Sequence, residues 1–527
     1  MRPIHRRLLV GVLTIMGLAL RFWRLGEMPL FGDEAYYLLW ADRLALSYFD
    51  HPAGIAFLLK LSTLLGGASE FGARWLNALL SAACVLLSYA VGRRYVSPRG
   101  GLIAAAAVAL GSVYVITGRV AYPDSLHNFL LLISLIIAGP LLTGPGESRG
   151  ASTRRWTFFG LALALLLNVK LSTGFFGIAV ALYVLARHRE LLRVRGLWLA
   201  AGFGLLGAAP ILVWNASHDW GMLRLTAQQG ANYGLPAPTL PTAWLHTVRY
   251  LTPPIAILAL LAVAACLHKP HPSARPAGAS GAERGKADTP HPCEGGGRGG
   301  GGDGPLFLAI AAACTLLPIL LSAANSPRNL GFGLLLLWPL AGIGCAPDSA
   351  QAGKLRIGEW AVVACLAGSA IYAAGTTAAL LDSTAWPHSI GATAIRADAA
   401  GWPVLAQEAI LPEGISLFAV DYSIAGQISY YTGRPVYSAG GQFRAWGIPE
   451  SDGWIVLSQG FVPDELVETR LRVNFSAVAG PRRWLFDQAE FTKELRIWSA
   501  QGRRAAMGEV VTSLDYLTLA REAARSR

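Results

Sequence analysis

Carboxylates and aromatic side chains are concentrated in one polar segment that follows the first apolar run of the chain. The segment contains Phe31-Gly32-Asp33-Glu34-Ala35-Tyr36-Tyr37 and then Tyr48-Phe49-Asp50-His51-Pro52. Adjacent carboxylates at a membrane surface can accept a proton from a hydroxyl, or hold a divalent cation against a phosphate. The alternative is an ordinary solvated helix start, in which the helix dipole favours Asp33 and Glu34. Spacing by itself favours neither explanation.

A second polar segment, Arg119-Val120-Ala121-Tyr122-Pro123-Asp124-Ser125, lies between two later apolar runs. A carboxylate and a cation in a short turn are suited to lining a polar cavity. Asp124 also comes just before the next predicted helix, where an aspartate commonly caps the first turn. By itself this segment predicts no particular activity.

The composition indicates that these segments belong to a membrane protein. Of 527 residues, 53% are hydrophobic and 14% are charged, whereas soluble proteins average about 25% charged residues. The net charge of +12 is expected to record membrane orientation rather than binding of nucleic acid. We predict about eleven transmembrane helices, near residues 7–22, 75–92, 101–118, 126–143, 157–168, 172–186, 197–214, 250–267, 305–323, 330–345 and 357–381.

If Asn168 and Lys170 divide one long apolar stretch into two spans, the basic clusters all fall on one side of the membrane. The bias of such clusters toward the cytoplasm predicts a cytoplasmic N-terminus and an external C-terminus. Arg21 and Arg24, just beyond the first span, are the exception. The clusters are Arg2, Arg6 and Arg7; Arg93, Arg94 and Arg99; Arg149, Arg154 and Arg155; Arg187, Arg189, Arg193 and Arg195; Lys269, Arg275, Arg284, Lys286 and Arg298; and Lys354 and Arg356.

The predicted organisation is a transmembrane domain over residues 1–384, a small external α/β domain over 385–510 and a tail over 511–527. The membrane domain includes the external loop 23–74, which carries the acids, and the Gly-rich cytoplasmic loop 268–304. Alternating short strands and helices favour the α/β domain. The predicted strands are Ser416–Tyr422, Val436–Ser438, Trp454–Ser458 and Arg483–Phe486, and the predicted helices are Pro403–Ile410 and Ile424–Tyr431.

A succession of motifs resembles the polyprenyl-phosphate-sugar-dependent transferases of glycosyltransferase family 39. That group includes protein O-mannosyltransferases and the lipid A aminoarabinose transferase, which share the GT-C membrane fold. The resemblance covers most of residues 1–345 and extends less closely through 415–450. The motifs are Asp33-Glu34-Ala35-Tyr36-Tyr37, Asp50-His51-Pro52, Tyr122-Pro123-Asp124, Asn168-Val169-Lys170-Leu171-Ser172, Pro210–Trp220 and Tyr430-Tyr431-Thr432-Gly433-Arg434-Pro435.

The resemblance implies catalytic roles for three acids. Asp33 matches the essential acid of the first external loop, which acts as general base or positions the acceptor. Glu34 accompanies Asp33 as a supporting acid, and Asp124 matches a second acid of the active cavity. The implied reaction is one in-line displacement with inversion at the sugar carbon.

The remaining candidates are expected to bind substrate or metal. Lys170 matches a lysine near the lipid phosphate, and Arg119 and Arg328 are further cations that can stabilise the leaving phosphate. Snorkelling at the interface is the ordinary alternative for each of these cations. Tyr36 and Tyr37 are expected to contact substrate. The candidate ligands of a divalent metal cation are Asp50, His51 and His218, although some relatives carry Glu-Lys-Pro in place of Asp50-His51-Pro52.

The predicted function is therefore transfer of a sugar from a polyprenyl-phosphate carrier to an extracytoplasmic lipid, glycan or protein, at the bacterial inner membrane. The first alternative is a secondary transporter or lipid flippase. Transporters carry ionisable residues or broken helices near the middle of their spans, whereas these acids lie in loops. A catalytically silent scaffold is the second alternative, and the presence of Asp33, Asp50 and Asp124 argues only weakly against it.

Overall fold

The structure is a computed structural model that describes most of the chain between Arg2 and Arg525. The described ranges are 2–144, 152–230, 253–267, 303–320, 330–343, 352–382, 384–386, 390–408, 410–459, 462–488 and 491–525. Most of the predicted cytoplasmic loop 268–304 and the candidate residue Arg328 lie outside these ranges.

The described part of the chain up to residue 382 is built from helices. A shared apolar core holds them together, in which alanine-rich α5 packs against α4 and α1. The helices are α1 Pro3–Phe22, α2 Gly32–Asp42, α3 Gly54–Gly66, α4 Glu70–Tyr95, α5 Pro98–Leu110, α6 Ser112–Arg119, α7 Pro123–Leu142, α8 Thr153–Leu167, α9 Thr173–Arg187, α10 Arg195–Leu206, α11 Ala209–Ser217, α12 Gly221–Gly230, α13 Pro253–Leu267, α14 Asp303–Leu320, α15 Leu330–Leu337 and α16 Ala352–Ala379.

Several of these helices are suited to crossing a membrane. Within the described residues, five are long and apolar enough, and a sixth span results if α5 and α6 count as one, bent by 53°. The five are Pro3–Phe22, Glu70–Tyr95, Pro123–Leu142, Arg195–Ser217 and Trp360–Ala379. Shorter apolar helices occur as well, such as Thr173–Arg187. The structure thus supports a polytopic helical membrane protein.

The predicted interruption around Asn168 is present. Helix α8 ends at Leu167 and α9 begins at Thr173. The Asn168 side chain donates from Nδ2 to the Ala164 carbonyl at 2.9 Å and to the Gly207 carbonyl at 2.7 Å. The second bond ties the end of α8 to the residue that follows α10. The polar turn therefore separates two helices, as the charge pattern predicts.

Arg21, the exception to the charge bias, lies inside the helical part of the molecule. Its fully buried guanidinium donates to the Ser81 hydroxyl at 2.7 Å and to the Val108 carbonyl at 2.9 Å. Buried charges are tolerated when hydrogen bonds replace the lost water. Arg21 thus joins the end of α1 to α4 and α5.

The C-terminal part contains a five-stranded mixed sheet in the order β2-β1-β3-β5-β4. Strand β1 is parallel to both of its neighbours, and β5 is antiparallel to β3 and β4. The elements are α17 Ile390–Ala399, α18 Trp402–Gln407, β1 Ser416–Ala419, α19 Tyr422–Thr432, β2 Val436–Ser438, α20 Gly441–Trp446, β3 Gly453–Gln459, α21 Asp464–Asn474, β4 Phe475–Gln488, β5 Phe491–Arg503, α22 Met507–Ser513 and α23 Tyr516–Arg525.

The two faces of this sheet bury different partners, because neighbouring residues of a strand point to opposite sides. In β1, Leu417 and Ala419 belong to the core that includes Leu30 and Trp40 of the first polar segment. Phe418 between them belongs to the core formed with α21, α22 and α23. This face of the sheet therefore belongs to the same core as the segment that carries the candidate acids, and helix α19 makes the direct contact with α2.

Several elements were missed by the sequence analysis, among them α12, α17 and α20. The apolar helix α3 lies within the segment predicted as an external loop, and α21 and β5 were not predicted. The predicted strand Arg483–Phe486 is the second part of β4, which pairs with β5 as a long hairpin. Beyond α16, the described residues change from apolar helices to short helices and a mixed sheet.

Candidate active site

Glu34 is enclosed at the start of α2. Its carboxylate has no exposed surface and binds Arg74 through two hydrogen bonds of 2.6 and 2.8 Å. It also accepts from the backbone N–H of Phe31 at 3.0 Å and of Ala121 at 2.8 Å. A buried ion pair requires such complete hydrogen bonding. Glu34, predicted as a supporting catalytic acid, instead fastens α2 to α4 and to the turn before α7.

Asp33, the neighbouring carboxylate, is only partly buried. Its Oδ1 accepts a hydrogen bond of 3.0 Å from the Tyr422 hydroxyl at the start of α19. Asp33 occupies the second position of α2, where the helix dipole favours a negative charge. The arrangement leaves a partly accessible carboxylate beside the C-terminal part of the chain.

Asp50 faces the same region from the turn after α2. Its Oδ2 accepts a hydrogen bond of 2.8 Å from the Tyr36 hydroxyl. Burial, together with the charge of Asp33, raises the pKa of Asp50 to about 6, although the hydrogen bond from Tyr36 opposes the shift. The two carboxylates therefore repel each other across a small polar space.

The two candidate tyrosines belong to a packed aromatic cluster. Both are buried. The Tyr36 ring lies 4.7 Å from the Tyr422 ring and 5.7 Å from the Phe443 ring, measured between centroids. The Tyr37 ring lies 6.1 Å from His51. These rings form a wall of the acidic region and position its polar groups.

Asp124 and Lys170 form the second charged pair. The Lys170 ammonium donates to Asp124 Oδ1 at 2.8 Å, and both side chains are largely buried. Asp124 lies in the first turn of α7, and Lys170 lies in the turn between α8 and α9. The sequence predicted both residues, and the structure brings them into direct contact.

Backbone contacts draw the separate segments together. The N–H of Gly54 donates to the Asn168 carbonyl at 2.8 Å. A Cβ atom at Gly54 would lie 2.8 Å from that carbonyl oxygen, closer than a side chain tolerates. The Phe31 and Tyr122 rings meet edge to face at 5.9 Å. With the Glu34–Ala121 bond, these contacts place the starts of α2 and α7 and the α8–α9 turn at one end of the helical part.

Arg119, predicted to bind phosphate, has a different set of partners. It is 2% exposed and donates from Nη1 to the carbonyls of Leu20 at 3.0 Å and Trp23 at 2.8 Å. These carbonyls belong to the end of α1, where a helix lacks intrahelical donors. The structure thus uses Arg119 to cap α1.

The candidate metal ligands Asp50, His51 and His218 do not form a metal-binding group. His218 stacks on Trp214 at 4.1 Å, with Nδ1 2.8 Å from the Trp214 carbonyl. Across the described ranges, no group of three or more His, Cys, Asp or Glu side chains is arranged to hold a metal ion. Within the described residues, Asp50, His51 and His218 are therefore not gathered into one such group.

Two residues that hold the acidic region went unnoticed in the sequence. Asp398 accepts from the N–H of Gly32 at 2.8 Å, and Arg74 binds Glu34. Nothing in the local sequence marks either residue, because their partners lie 366 and 40 residues away. Tyr422 was predicted to end a strand at a candidate binding loop of the external domain, with no link to Asp33.

An open cavity of about 450 Å³ lies along α2. Its walls include Ala35, Leu38, Leu39 and Asp42. At 3.6 residues per turn, Asp33 lies on the same face of α2 as Tyr36 and Trp40. The cavity lies along the opposite face of the helix. The cavity is therefore separated from the acidic region by the helix itself.

Comparison with known proteins bears on the fold. Residues 50–214 match the family model described as dolichyl-phosphate-mannose-protein mannosyltransferase. Over 96% of its length, the chain superimposes on 98% of apo ArnT from Cupriavidus metallidurans, with a TM-score of 0.58 and 15% identity. The same protein bound to undecaprenyl phosphate gives a TM-score of 0.59 and 14% identity, over 93% of this chain and 97% of that one.

The chain has the GT-C fold of ArnT. The family resemblance inferred from the motifs is confirmed.

Two curated relatives match parts of the sequence. The lipid A galacturonosyltransferase of Rhizobium johnstonii is 26% identical over 264 residues, which is 45% of this chain and 54% of that protein. The undecaprenyl phosphate-α-4-amino-4-deoxy-L-arabinose arabinosyl transferase of Pseudomonas paraeruginosa is 31% identical over 123 residues, 23% of this chain and 22% of that protein. The matched part is thus about half of the first relative and about a fifth of the second.

Proposed function

We propose that this chain is a membrane glycosyltransferase that moves a sugar from a polyprenyl-phosphate carrier to an acceptor outside the cytoplasm. The observation that carries the proposal is the hydrogen bond between Glu34 and the N–H of Ala121. Because of this bond, Asp33 of α2 and Asp124 of α7 approach the same end of the helical part. A reaction between a lipid phosphate and an acceptor requires both groups on one side of the bilayer.

In the proposed reaction, Asp33 accepts the proton of an acceptor hydroxyl. The hydroxyl oxygen forms a bond to the anomeric carbon of the sugar, and the bond from that carbon to the carrier phosphate breaks. The phosphate leaves with the electron pair, and the sugar carbon is inverted. If the acceptor is itself a phosphate, no proton is transferred and Asp33 positions the acceptor.

The Asp124–Lys170 pair is proposed to serve the carrier phosphate. An ammonium group is a strong partner for phosphate oxygens, and the 2.8 Å contact with Asp124 holds it in place. As the phosphate leaves, its negative charge grows, and a fixed cation stabilises that charge more strongly than mobile water does. Asp124 thus acts by positioning Lys170.

The proposed topology follows from the charge pattern. We infer eleven spans within residues 1–384, a cytoplasmic N-terminus and a cytoplasmic loop at 268–304. The α/β domain at 385–510 and the tail at 511–527 then lie outside, beside the loop 23–74. The packing of the sheet against the first polar segment supports this orientation, because the domain and the acids must share a side. A bacterial inner membrane is the expected location.

The names of the relatives point to the substrates to test first. Both curated relatives are named as sugar transferases, one acting on lipid A and one using an undecaprenyl phosphate donor. We propose an undecaprenyl-phosphate-linked sugar as donor and a glycolipid of the lipid A type as acceptor. Glycan and protein hydroxyls are the remaining acceptor classes.

Reconstitution tests this function against the transporter alternative. The purified chain is placed in liposomes containing lipid A and an undecaprenyl-phosphate donor with a labelled sugar. The proposal predicts labelled lipid A and release of undecaprenyl phosphate, measured by mass spectrometry. Movement of intact donor between leaflets without any glycosylated product would contradict the proposal and favour a flippase. Liposomes without protein provide the baseline.

A further inference from the structure

The C-terminal domain touches the backbone of the acid-bearing segment. A Cβ atom at Gly32, just before Asp33, would lie 2.4 Å from the Cβ of Ser423. A Cβ atom at Gly426 would lie 2.8 Å from the backbone nitrogen of Tyr36. Distances below 3 Å leave no room for a side chain at either glycine. Helices α2 and α19 are therefore in direct backbone contact.

Hydrogen bonds from the C-terminal domain fix the chain that leads to Asp33. The Leu30 N–H donates to the Tyr431 hydroxyl at 2.6 Å, and Gln427 Nε2 donates to the Leu30 carbonyl at 3.2 Å. The Gly32 N–H donates to Asp398 Oδ2 at 2.8 Å. The backbone on the N-terminal side of Asp33 is thus held by groups outside the helical part.

The Asp33 carboxylate itself is held by the same domain. The Tyr422 hydroxyl lies 3.0 Å from Asp33 Oδ1, and the Tyr422 ring is fixed by its contact with Tyr36, 4.7 Å away. The negative charge of Asp33, followed by burial and the charge of Asp421, raises the pKa of Tyr422 well above its usual range. The phenol therefore remains protonated and can donate.

We propose that Tyr422 is a positioning residue for Asp33, so that the C-terminal domain completes the pocket in which the sugar is transferred. This inference rests on the proposed function. A carboxylate with one oxygen fixed by a donor presents a defined direction to the acceptor, whereas an unfixed carboxylate samples several rotamers. A hydrogen bond to a charged group typically corresponds to about a 10- to 100-fold change in rate.

The pH response of Asp33 provides a readout that packing by itself does not produce. The charged and titratable groups around Asp33 are Asp50 from the turn after α2, Asp398 from α17, Asp421 before α19, and the phenol of Tyr422. Tyr422→Phe removes a neutral donor to the charged form of Asp33. A carboxylate in that setting keeps its proton to a higher pH.

The experiment compares Tyr422→Phe with Tyr437→Phe, a tyrosine on β2 of the same domain whose ring packs on Trp454. In the transfer assay, Tyr422→Phe should lower kcat about 10- to 100-fold. The donor KM should stay unchanged, and the acid limb of the pH–rate profile should move to higher pH. Tyr437→Phe should match wild type. An unchanged kcat and pH profile in Tyr422→Phe would overturn the proposal.

A second measurement does not depend on activity. A carbodiimide modifies protonated carboxyl groups, and mass spectrometry reports how much of Asp33 is modified at each pH. In Tyr422→Phe, half-modification should occur at a higher pH than in wild type and in Tyr437→Phe. If this midpoint does not move, the positioning role is wrong, whatever the assay shows. If it moves while wild type transfers no sugar, the contact stands and the proposed function fails.

Discussion

The starts of α2 and α7 each place a carboxylate at the second helical position, but partners of opposite kind hold the two groups. Asp33 accepts from the neutral hydroxyl of Tyr422, whereas Asp124 is paired with the ammonium of Lys170. A neutral donor leaves the negative charge in place, and a cation offsets it. One helix start is therefore suited to accepting a proton, and the other to holding a cation toward a phosphate.

The residue beside Asp33 sharpens this contrast. Glu34 has the same side-chain chemistry, yet it is fully buried and bound by Arg74 and two backbone N–H groups. Breaking such a buried pair by removing one partner typically costs about 3–5 kcal/mol of stability. A change at Glu34 is thus expected to impair folding, whereas a change at Asp33 tests the proposed chemistry.

The largest expected effect on turnover is that of Asp33→Asn. Loss of a general base typically lowers the rate by about 10²–10⁴-fold, while donor binding should remain because the Asp124–Lys170 pair is intact. Turnover is measured with labelled donor, and binding with undecaprenyl phosphate. The matched control is Asp42→Asn at the other end of α2, whose carboxylate forms a surface pair with Lys60. Wild-type turnover in Asp33→Asn would refute the assignment of the base.

Lys170→Met should mainly weaken donor binding, whereas Asp33→Asn should mainly lower turnover. The effect of Lys170→Met should also be the smaller of the two. Removal of a charge-assisted contact typically changes affinity or rate by about 10- to 100-fold. We expect weaker binding of undecaprenyl phosphate, measured by titration of the purified protein, and a higher donor KM. Lys60→Met, which removes an exposed lysine 3.4 Å from Asp42, serves as the control. If Lys170→Met binds undecaprenyl phosphate as well as wild type does, Lys170 does not bind the carrier phosphate as proposed.

The sequence predicted the helical part well because its signals are local. Apolar runs are long, and polar residues such as Asn168 mark the breaks between them. Helix α3 was missed because its 13 residues are too few for an ordinary span and lie inside a segment rich in acids and aromatics. Strand β5 was missed because a hairpin depends on its pairing partner more than on its own composition.

The candidate acids were also predicted, whereas the groups that hold them were not. Asp33, Asp50 and Asp124 stand in recognisable motifs. The Tyr422 hydroxyl lies 389 residues from Asp33 along the chain, and this contact arises only when α19 packs on α2. Arg119 is the opposite case. Its motif predicted phosphate binding, but its side chain caps the end of α1.

The smallest expected effect concerns the stability of the junction between α2 and the C-terminal domain. Burial raises the pKa of Asp398 to about 6, compared with about 4 for a free aspartate. Between these values the folded protein holds a proton that the unfolded chain has released. The contribution of Asp398 to stability is therefore present at low pH and is lost as pH rises from about 4 to 6.

Thermal unfolding in detergent between pH 4 and 7 tests whether stability falls as the pH rises. Asp398→Asn should reduce the fall in melting temperature over that range, because an amide does not titrate. Asp50, whose pKa burial also raises to about 6, should still contribute a parallel fall. An identical pH dependence in wild type and Asp398→Asn would show that Asp398 is not buried at this junction.

The most direct test of the common pocket is a cross-link between the starts of α2 and α7. Phe31 and Tyr122 have ring centroids 5.9 Å apart, so Phe31→Cys combined with Tyr122→Cys should be joined by a short bifunctional maleimide in native membranes. Mass spectrometry should then show one peptide pair linked across these two positions, absent from either single variant. The account would be contradicted if no link formed and if an impermeant maleimide labelled the two positions from opposite faces of the membrane.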